Sequence, residues 1–229
     1  MCFSATTSFI AGTALTAIGV ATVRYVKTPA RLPFAAIPFI FSIQQFCEGF
    51  LWLSFTKPAF ESWQPAAAHI FLAFAEVVWP VWIPLSILLL ERVTRRRRWL
   101  SLMFAIGSIV SISMAYALVN CPVSVSASSG HIYYEIDCPY RLNYFNGILY
   151  FVPTVLPSLI SRIRKMKTIT VVLMLSFLIS RFFFNDYVIS VWCFFATVMS
   201  VVVLLITRDL FYRKEPVRIK RKTEQSLGY

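Results

Sequence analysis

Residues 43–52 read Ile-Gln-Gln-Phe-Cys-Glu-Gly-Phe-Leu-Trp and place polar side chains in the middle of a long apolar segment. Gln44, Gln45 and Glu48 therefore stand where lipid is expected. A second acid, Glu76, follows 28 residues later in the next apolar segment. Acids inside a bilayer are costly, so each must be neutral, paired or bound to something. This stretch indicates a polytopic membrane protein with a polar site inside it.

The composition of the chain supports this interpretation. Its 229 residues are 58% hydrophobic and 14% charged, with a mean hydropathy of +0.70, whereas soluble domains carry about 25% charged residues. A net charge of +12 would suggest a nucleic-acid partner in a soluble chain. Here the cations lie between apolar segments, so no nucleic acid is predicted as a partner. The N-terminus lacks the basic region and small-residue cleavage site of a signal peptide, so none is expected.

Seven apolar segments approach the ~20 residues that a membrane-spanning helix needs. We therefore predict an all-α bundle of seven transmembrane helices over residues 1–207, with a polar loop at Cys121–Tyr140 and a basic, disordered tail over residues 208–229. The predicted helices cover about Ala5–Val26, Leu32–Phe55, Ala66–Glu91, Trp99–Asn120, Leu142–Ser161, Thr168–Phe184 and Tyr187–Thr207.

The basic residues predict the orientation of the bundle. Of the 22 Lys and Arg residues, 19 lie in the tail or in the connections that follow odd-numbered helices. The opposite side holds Lys57 and Arg141, and Arg181 lies within the sixth helix. Under the positive-inside rule the N-terminus is outside and the tail is cytoplasmic, in a multi-pass protein of the plasma (inner) membrane. The lipid bilayer is its predicted partner, with anionic lipid at the basic tail.

Cys121 and Cys138 flank the long outer loop. On an oxidising side of the membrane a disulfide between them is predicted, since closing a ring of this length contributes roughly 3 kcal/mol. Two free thiols at the ends of the loop are the alternative.

The costly polar residues concentrate in the outer half of the predicted bilayer. Glu48 lies ~6 Å and Glu76 ~4–5 Å toward the outer face from their helix midpoints, on neighbouring antiparallel helices. We expect an outward-facing polar pocket with these acids at its floor. Its predicted lining is Glu48, Glu76, Gln44, Gln45, His69, Asn143, Asn146, Tyr150, Arg181, Ser4 and Cys2.

Each of these residues also has a plainer interpretation. The two acids could be protonated and hydrogen-bonded to the glutamines, holding helices together. Arg181 could extend to the outer interface, or point inward as the counter-ion of one acid. His69 could be an interfacial histidine, and the asparagines could bond neighbouring helices. Paired prolines, Pro80 with Pro84 and Pro153 with Pro157, are expected to kink two of the helices.

No metal site is predicted, although Cys2, His69 and Glu76 are weak candidate ligands. Removal of Met1 would leave Cys2 as an amino-terminal nucleophile, ligand or acylation site, and an inert thiol is the alternative. The cofactor is unknown, because Walker, Rossmann and Cys-x-x-Cys motifs are absent.

The opening Met-Cys-Phe-Ser-Ala at residues 1–5, with Ser8-Phe9 and the pattern Gln44-Gln45-x-x-Glu48-Gly49-x-x-Trp52, resembles a family of uncharacterised, mostly bacterial integral membrane proteins. The resemblance covers the whole chain and implies no activity. A faint resemblance to the alkaline ceramidase and adiponectin-receptor-like superfamily rests on helix count. Its three-histidine zinc site cannot be built, because the only histidines are His69 and His131. Microbial rhodopsins are excluded because the seventh helix has no lysine.

Three functions remain open from the sequence. The first is a sensor or transporter that binds a small molecule, ion or lipid in the pocket, with Glu48 and Glu76 holding a cation or proton. The second is a membrane-embedded hydrolase or other enzyme on a lipid-like substrate, with the two acids as general acid and base. The third is a structural or assembly subunit that docks through its basic tail.

Overall fold

A computed structural model describes residues 4–128, 130–138, 143–163, 165–183 and 196–212, and the side chains at 143–148, 177 and 180–183 lie outside the described set. The helices α1 to α9 run over Ala5–Val23, Leu32–Ala35, Ile37–Thr56, Gln64–Leu72, Trp79–Leu90, Thr94–Asn120, Asn143–Ile160, Met166–Phe183 and Ala196–Tyr212. Strands β1 and β2 run over Val123–Ser128 and His131–Ile136. A π-helical turn, Ala73–Val78, joins α4 to α5.

Four helical segments of the described chain are long and apolar enough to cross a membrane, which indicates a membrane protein. They are Ala5–Val23, Pro29–Thr56, Pro58–Leu90 and Thr94–Asn120. Shorter apolar helical stretches lie at Leu149–Ile160 and Met166–Ser176. Long helices that follow one another in the chain pack side by side, and α9 returns to contact α1 and α3.

Prolines divide the second and third predicted helices. The second is broken at Ala36, between α2 and α3, because Pro38 has no backbone N–H to continue the ladder. The indole of Trp82 donates to the Pro33 carbonyl at 2.9 Å beside this break. The third predicted helix is likewise α4, the π-helical turn and α5 rather than one regular helix. Pro80, one of the predicted kink sites, directly follows the first residue of α5.

Small residues bring α1 against α3. Gly12 and Gly19 are buried, and their Cα positions face the rings of Phe46 and Phe39 on α3. Between them, the hydroxyls of Thr16 and Ser42 lie 2.6 Å apart. Close backbone approach through small residues is the usual way in which helices associate where water is absent.

Gly107 allows an even closer contact between α6 and α5. A Cβ atom added there would collide with the backbone carbonyl of Pro80. That carbonyl has no helical donor, because the residue four positions later is Pro84. The glycine therefore lets α6 pack directly against the backbone of α5 at Pro80.

The all-α prediction is corrected by one antiparallel β-hairpin in the expected polar loop. Its register pairs Val123 with Ile136 and Ser128 with His131, and its turn contains Gly130 at a φ of 76°, a conformation that glycine adopts readily. The predicted disulfide between Cys121 and Cys138 is present at the base of the hairpin, which confirms that prediction. We call this end of the molecule the hairpin end.

The inner side of the hairpin is apolar. Ile132, Tyr134 and Ile136 are buried on alternate positions of β2, and the ring of Tyr134 stacks on Phe71 of α4 with centroids 4.7 Å apart. The same cluster contains Leu51 and other buried residues of α3, α4 and α6. The hairpin therefore covers the ends of these helices.

The opposite end, which we call the basic end, contains residues 24–31, 91–98, 160–163 and 165–167 and the last turn of α9. Glu91 joins two of these connections. It is 4% exposed, and its carboxylate accepts hydrogen bonds from the backbone N–H of Arg92, Val93 and Arg162 at 3.0–3.1 Å and from the Ser161 hydroxyl at 3.3 Å. Burial raises the pKa of Glu91, but these hydrogen bonds outweigh it, and the net shift is downward.

Cations at the basic end bind the carbonyl groups at helix C-termini. Lys27 and Arg31 donate to the carbonyls of Phe211 and Leu210 in the last turn of α9, and Lys165 pairs with Asp209 at 3.1 Å. Positive charge is favourable there because a helix C-terminus carries partial negative charge. Helix α9 consequently continues to Tyr212, five residues beyond the predicted end. Residues 213–229 of the predicted tail lie outside the described residues.

Gly107→Ala is expected to lower the free energy of unfolding by about 3 kcal/mol, the upper end of the range for overpacking, because a backbone carbonyl cannot rotate away. Unfolding by denaturant in detergent micelles measures this. Gly12→Ala is the control: its Cβ would lie 3.1 Å from a Phe46 ring atom, a contact that a side chain can relax. An equal loss in both variants would contradict the close contact described for Gly107.

Glu91→Gln is expected to cost about 1.5–3 kcal/mol at neutral pH, because the amide removes the charge from four hydrogen bonds and turns an N–H₂ group toward backbone donors. Since the pKa of Glu91 is lowered on folding, its contribution is complete above about pH 4.5 and is lost as the pH falls through the folded-state pKa. Unfolding measured at several pH values tests both points. Glu61→Gln is the control, because Glu61 is exposed. An equal loss of stability in the two variants would contradict the role described for the Glu91 carboxylate.

Candidate functional site

One hydrogen bond between side chains sets the register of α3 against α5. The indole Nε1 of Trp79 donates to the amide Oε1 of Gln44 at 3.0 Å, and the ring of Trp79 packs on Phe41 with centroids 4.1 Å apart. Both partners of the hydrogen bond are buried, at 6% and 1% exposure. The amide orientation of Gln44 is thereby fixed.

This register places the two acids at one level. Glu48 is one turn beyond Gln44 toward the hairpin end, about 6 Å along α3, and Glu76 is three residues before Trp79, about 4.5 Å along the facing helix. The same antiparallel register brings Leu51 of α3 and Leu72 of α4 into one buried cluster. Glu48 is fully buried and Glu76 is 8% exposed. The acids therefore lie inside the protein on neighbouring helices.

The remaining glutamine supports Glu48 directly. The amide Nε2 of Gln45 donates to Glu48 Oε2 at 3.2 Å, and Gln45 itself is 2% exposed. Because Gln45 and Glu48 both lie on α3, this hydrogen bond orients the carboxyl group without a contribution from another helix. The hydrogen bond to the amide stabilises a negatively charged oxygen more than a neutral one.

Glu76 lies within the π-helical turn, and the neighbouring helices bind carbonyl groups of that turn. In π geometry residue 80 would donate to the carbonyl of Ala75, but Pro80 has no N–H. The hydroxyl of Tyr150 on α7 donates to that carbonyl at 2.6 Å, and Ser111 on α6 donates to the Val77 carbonyl at 2.5 Å. Two helices, α6 and α7, thus fix the backbone on both sides of Glu76.

Five of the predicted pocket residues are accordingly found at this junction. Gln44, Gln45 and Glu48 lie on α3, Glu76 lies in the π-helical turn, and Tyr150 contacts the turn from α7. Sequence periodicity could not show the π-helical turn, although Pro80 after an apolar run was a signal for irregular geometry. Ser111 and Trp79 were not among the predicted site residues, because a serine or tryptophan in an apolar helix carries no sign of its partner.

Two predicted pocket residues, His69 and Ser4, make local hydrogen bonds within their own helices. His69 is exposed, and its Nδ1 lies 2.8 Å from the carbonyl oxygen of Pro65 in its own helix. The seven-residue spacing of His69 and Glu76 would place them on one face of a regular α-helix. A π-helical turn takes more residues per turn, so this spacing no longer returns to one face. Ser4 is the N-cap of α1, and its hydroxyl accepts a hydrogen bond from the Thr7 backbone N–H at 3.3 Å.

The other predicted members fall outside the described parts of the molecule. Cys2 precedes the described residues, and the side chains of Asn143, Asn146 and Arg181 are not described. Within the described residues, no group of three His, Cys, Asp or Glu side chains is placed to hold a metal ion. Of the weak candidate metal ligands Cys2, His69 and Glu76, His69 lies on the exposed surface.

Tyr150→Phe is expected to lower the free energy of unfolding by about 1–3 kcal/mol, because it leaves the Ala75 carbonyl without this donor in apolar surroundings. Denaturant titration in micelles measures the loss. Tyr116→Phe is the matched control, since Tyr116 is 66% exposed, and its effect should stay within about 0.5 kcal/mol. Similar values for the two variants would show that the Tyr150 hydroxyl does not support the π-helical turn.

Comparison with known proteins gives one result. Residues 1–219 match the model of a family of unknown function, DUF6629, and the chain belongs to that family. No curated protein and no solved structure matches it. The expected membership of an uncharacterised family is confirmed, while the expected bacterial distribution and the faint likeness to ceramidases stay predictions.

Proposed function

We propose that this member of the DUF6629 family is a seven-span integral membrane protein in which Glu48 and Glu76 form a buried site for a proton or a small cation, as part of a sensor or transporter. The observation that carries the proposal is the burial of both acids, each about one turn from the Trp79–Gln44 hydrogen bond that joins their helices. A carboxyl group inside a bilayer is stabilised by a proton or by a positive charge beside it, and a bound cation is one way to supply that charge.

The packing of the helices supports seven spans. Four segments are long and apolar enough to cross the bilayer, and α7, α8 and α9 continue the side-by-side order until α9 meets α1. The clustering of cations at one end favours a cytoplasmic basic end and an extracytoplasmic hairpin end, and the disulfide at the hairpin base agrees with an oxidising side. The inner membrane is the proposed location.

The chemistry of the junction favours a cation over an anion. Among the described residues at this junction, Glu48, Glu76, Gln44 and Gln45 supply carboxyl and amide oxygens. Oxygen donors of this kind bind hard cations and protonated amines. The π-helical turn around Glu76 adds support, because single π-helical turns inside α-helices are frequent at functional sites.

The arrangement also suggests how a bound charge would be transmitted. Glu76 lies in an irregular turn whose carbonyl groups are bonded to α6 and α7, so a change in its protonation or ligation acts on three helices. The hairpin covers the outer ends of α3, α4 and α6, with Tyr134 on Phe71 one to two turns above the acids. We propose that access from outside requires displacement of this cover.

The proposal is tested by the stability of the protein in nanodiscs against a panel of chloride salts of sodium, potassium, magnesium, calcium and ethanolammonium at constant ionic strength, and against pH. At least one of these variables is expected to raise the unfolding temperature in a saturable manner. A ligand present at a hundred times its Kd adds about 2.7 kcal/mol. Glu48→Gln and Glu76→Gln are each expected to abolish the response to the cation, and the pH series compares them in the Glu91→Gln background, which removes the pH dependence due to that residue.

Glu61→Gln is the control, because it makes the same chemical change at an exposed position near the hairpin end and should respond as the wild type does. A response that persists unchanged in both buried variants would contradict the site. So would a wild-type protein that responds to none of the cations and to no change of pH, since the acids would then only hold helices together.

A further inference from the structure

Four consecutive arginines begin α6, and the helix divides them between two faces. Arg96 donates through Nη1 to the Ile160 carbonyl at the end of α7. Arg97 donates through Nη1 to the carbonyls of Glu91 and Leu88 at 3.1 and 3.3 Å. These two guanidinium groups therefore bind carbonyl groups at the ends of neighbouring helices, with Arg96 half-buried and Arg97 exposed.

Arg95 and Arg98 lie on the opposite face of the same turn. Both are exposed, and they are three residues apart, so they are neighbours on the helix surface. Each is followed four residues later by an exposed apolar side chain, Trp99 at 54% and Leu102 at 46%. Positively charged and apolar side chains therefore lie next to each other on this face of α6.

That face continues as an apolar stripe along α6. Ile109, Ile112, Tyr116 and Val119 are 66–82% exposed and recur at helical spacing. The distance from Trp99 to Tyr116 is about 26 Å along the helix axis, close to the ~30 Å thickness of a hydrocarbon core. Aromatic residues at both ends of such a stripe are typical of membrane interfaces. Arg95 and Arg98 then lie at the level of the lipid phosphates.

The start of α6 favours an anion at this position. Its N-cap residue, Val93, makes no side-chain capping hydrogen bond, and its first turn contains no acidic residue. A helix N-terminus carries partial positive charge, so guanidinium groups beside it repel the helix dipole. The Glu91 carboxylate, which accepts from the backbone N–H groups of Arg92 and Val93, offsets part of this positive charge, and a phosphate beside Arg95 and Arg98 would offset more of it.

We infer that Arg95 and Arg98 bind the phosphate of an anionic phospholipid in the leaflet at the basic end, with its acyl chains along Trp99 and Leu102. This site is separate from the predicted binding of lipid by the tail. It rests on the orientation part of the proposed function but not on the buried acids, so a failure of the cation site leaves it standing.

Short-chain phosphatidylglycerol titrated into the full-length protein in neutral detergent micelles, with bound lipid counted by native mass spectrometry, tests the inference. Saturable binding is expected for the wild type. Each basic residue near an anionic lipid contributes about fivefold in affinity, so Arg95→Gln with Arg98→Gln should raise the apparent Kd roughly 25-fold. Its unfolding temperature without lipid should match that of the wild type, because both side chains are exposed.

Arg24→Gln with Lys167→Gln is the matched control. It removes the same charge from exposed residues at the same end of the molecule and should keep wild-type affinity. Equal weakening in the two double variants would overturn the site, since binding would then follow net charge alone. Equal binding of phosphatidylcholine, or full competition by inorganic phosphate at the same concentration, would overturn the assignment to an anionic lipid.

Discussion

The structure depends on one constraint: a backbone carbonyl at an irregular helical turn in apolar surroundings is stabilised by a donor from another part of the chain. Three indole or hydroxyl groups meet it in the described residues, with Trp82 on the Pro33 carbonyl, Tyr150 on Ala75 and Ser111 on Val77. Each bond joins helices that are far apart in sequence. The irregular turns that prolines create are therefore also the points at which the helices are fixed to one another.

The two ends of the molecule are stabilised by different kinds of interaction. At the hairpin end, a disulfide and an apolar β-strand face cover the helices. At the basic end, Lys27, Arg31, Arg96 and Arg97 bind helix carbonyl groups, and Glu91 binds the backbone of two connections. Some of the cations that indicate orientation in the sequence are thus engaged within the fold, whereas Arg95 and Arg98 are exposed.

The two proposals use different surfaces. The cation site needs the interior, where Glu48 and Glu76 lie at the same level because Trp79 and Gln44 fix the register. The lipid site needs the outer face of α6, where the helix turns Arg95 and Arg98 away from Arg96 and Arg97. Both proposals depend on the helical spacing of polar residues, which determines the side of the helix on which each residue lies. Neither proposal requires the other.

The sequence by itself determined the apolar segments, the positions of the buried acids and the cysteine pair, because hydropathy, helix rise and loop position are local properties. Only the tertiary structure decided which polar groups meet. The π-helical turn removed His69 from the stripe of Glu76, the alternation in residues 123–136 became a hairpin rather than a loop, and Ser4 became a cap. It also bonded two arginines of one run of four, Arg96 and Arg97, to the carbonyl groups of neighbouring helices. Register, irregular turns and donor partners arise from contacts between distant helices, and periodicity within one segment carries no record of them.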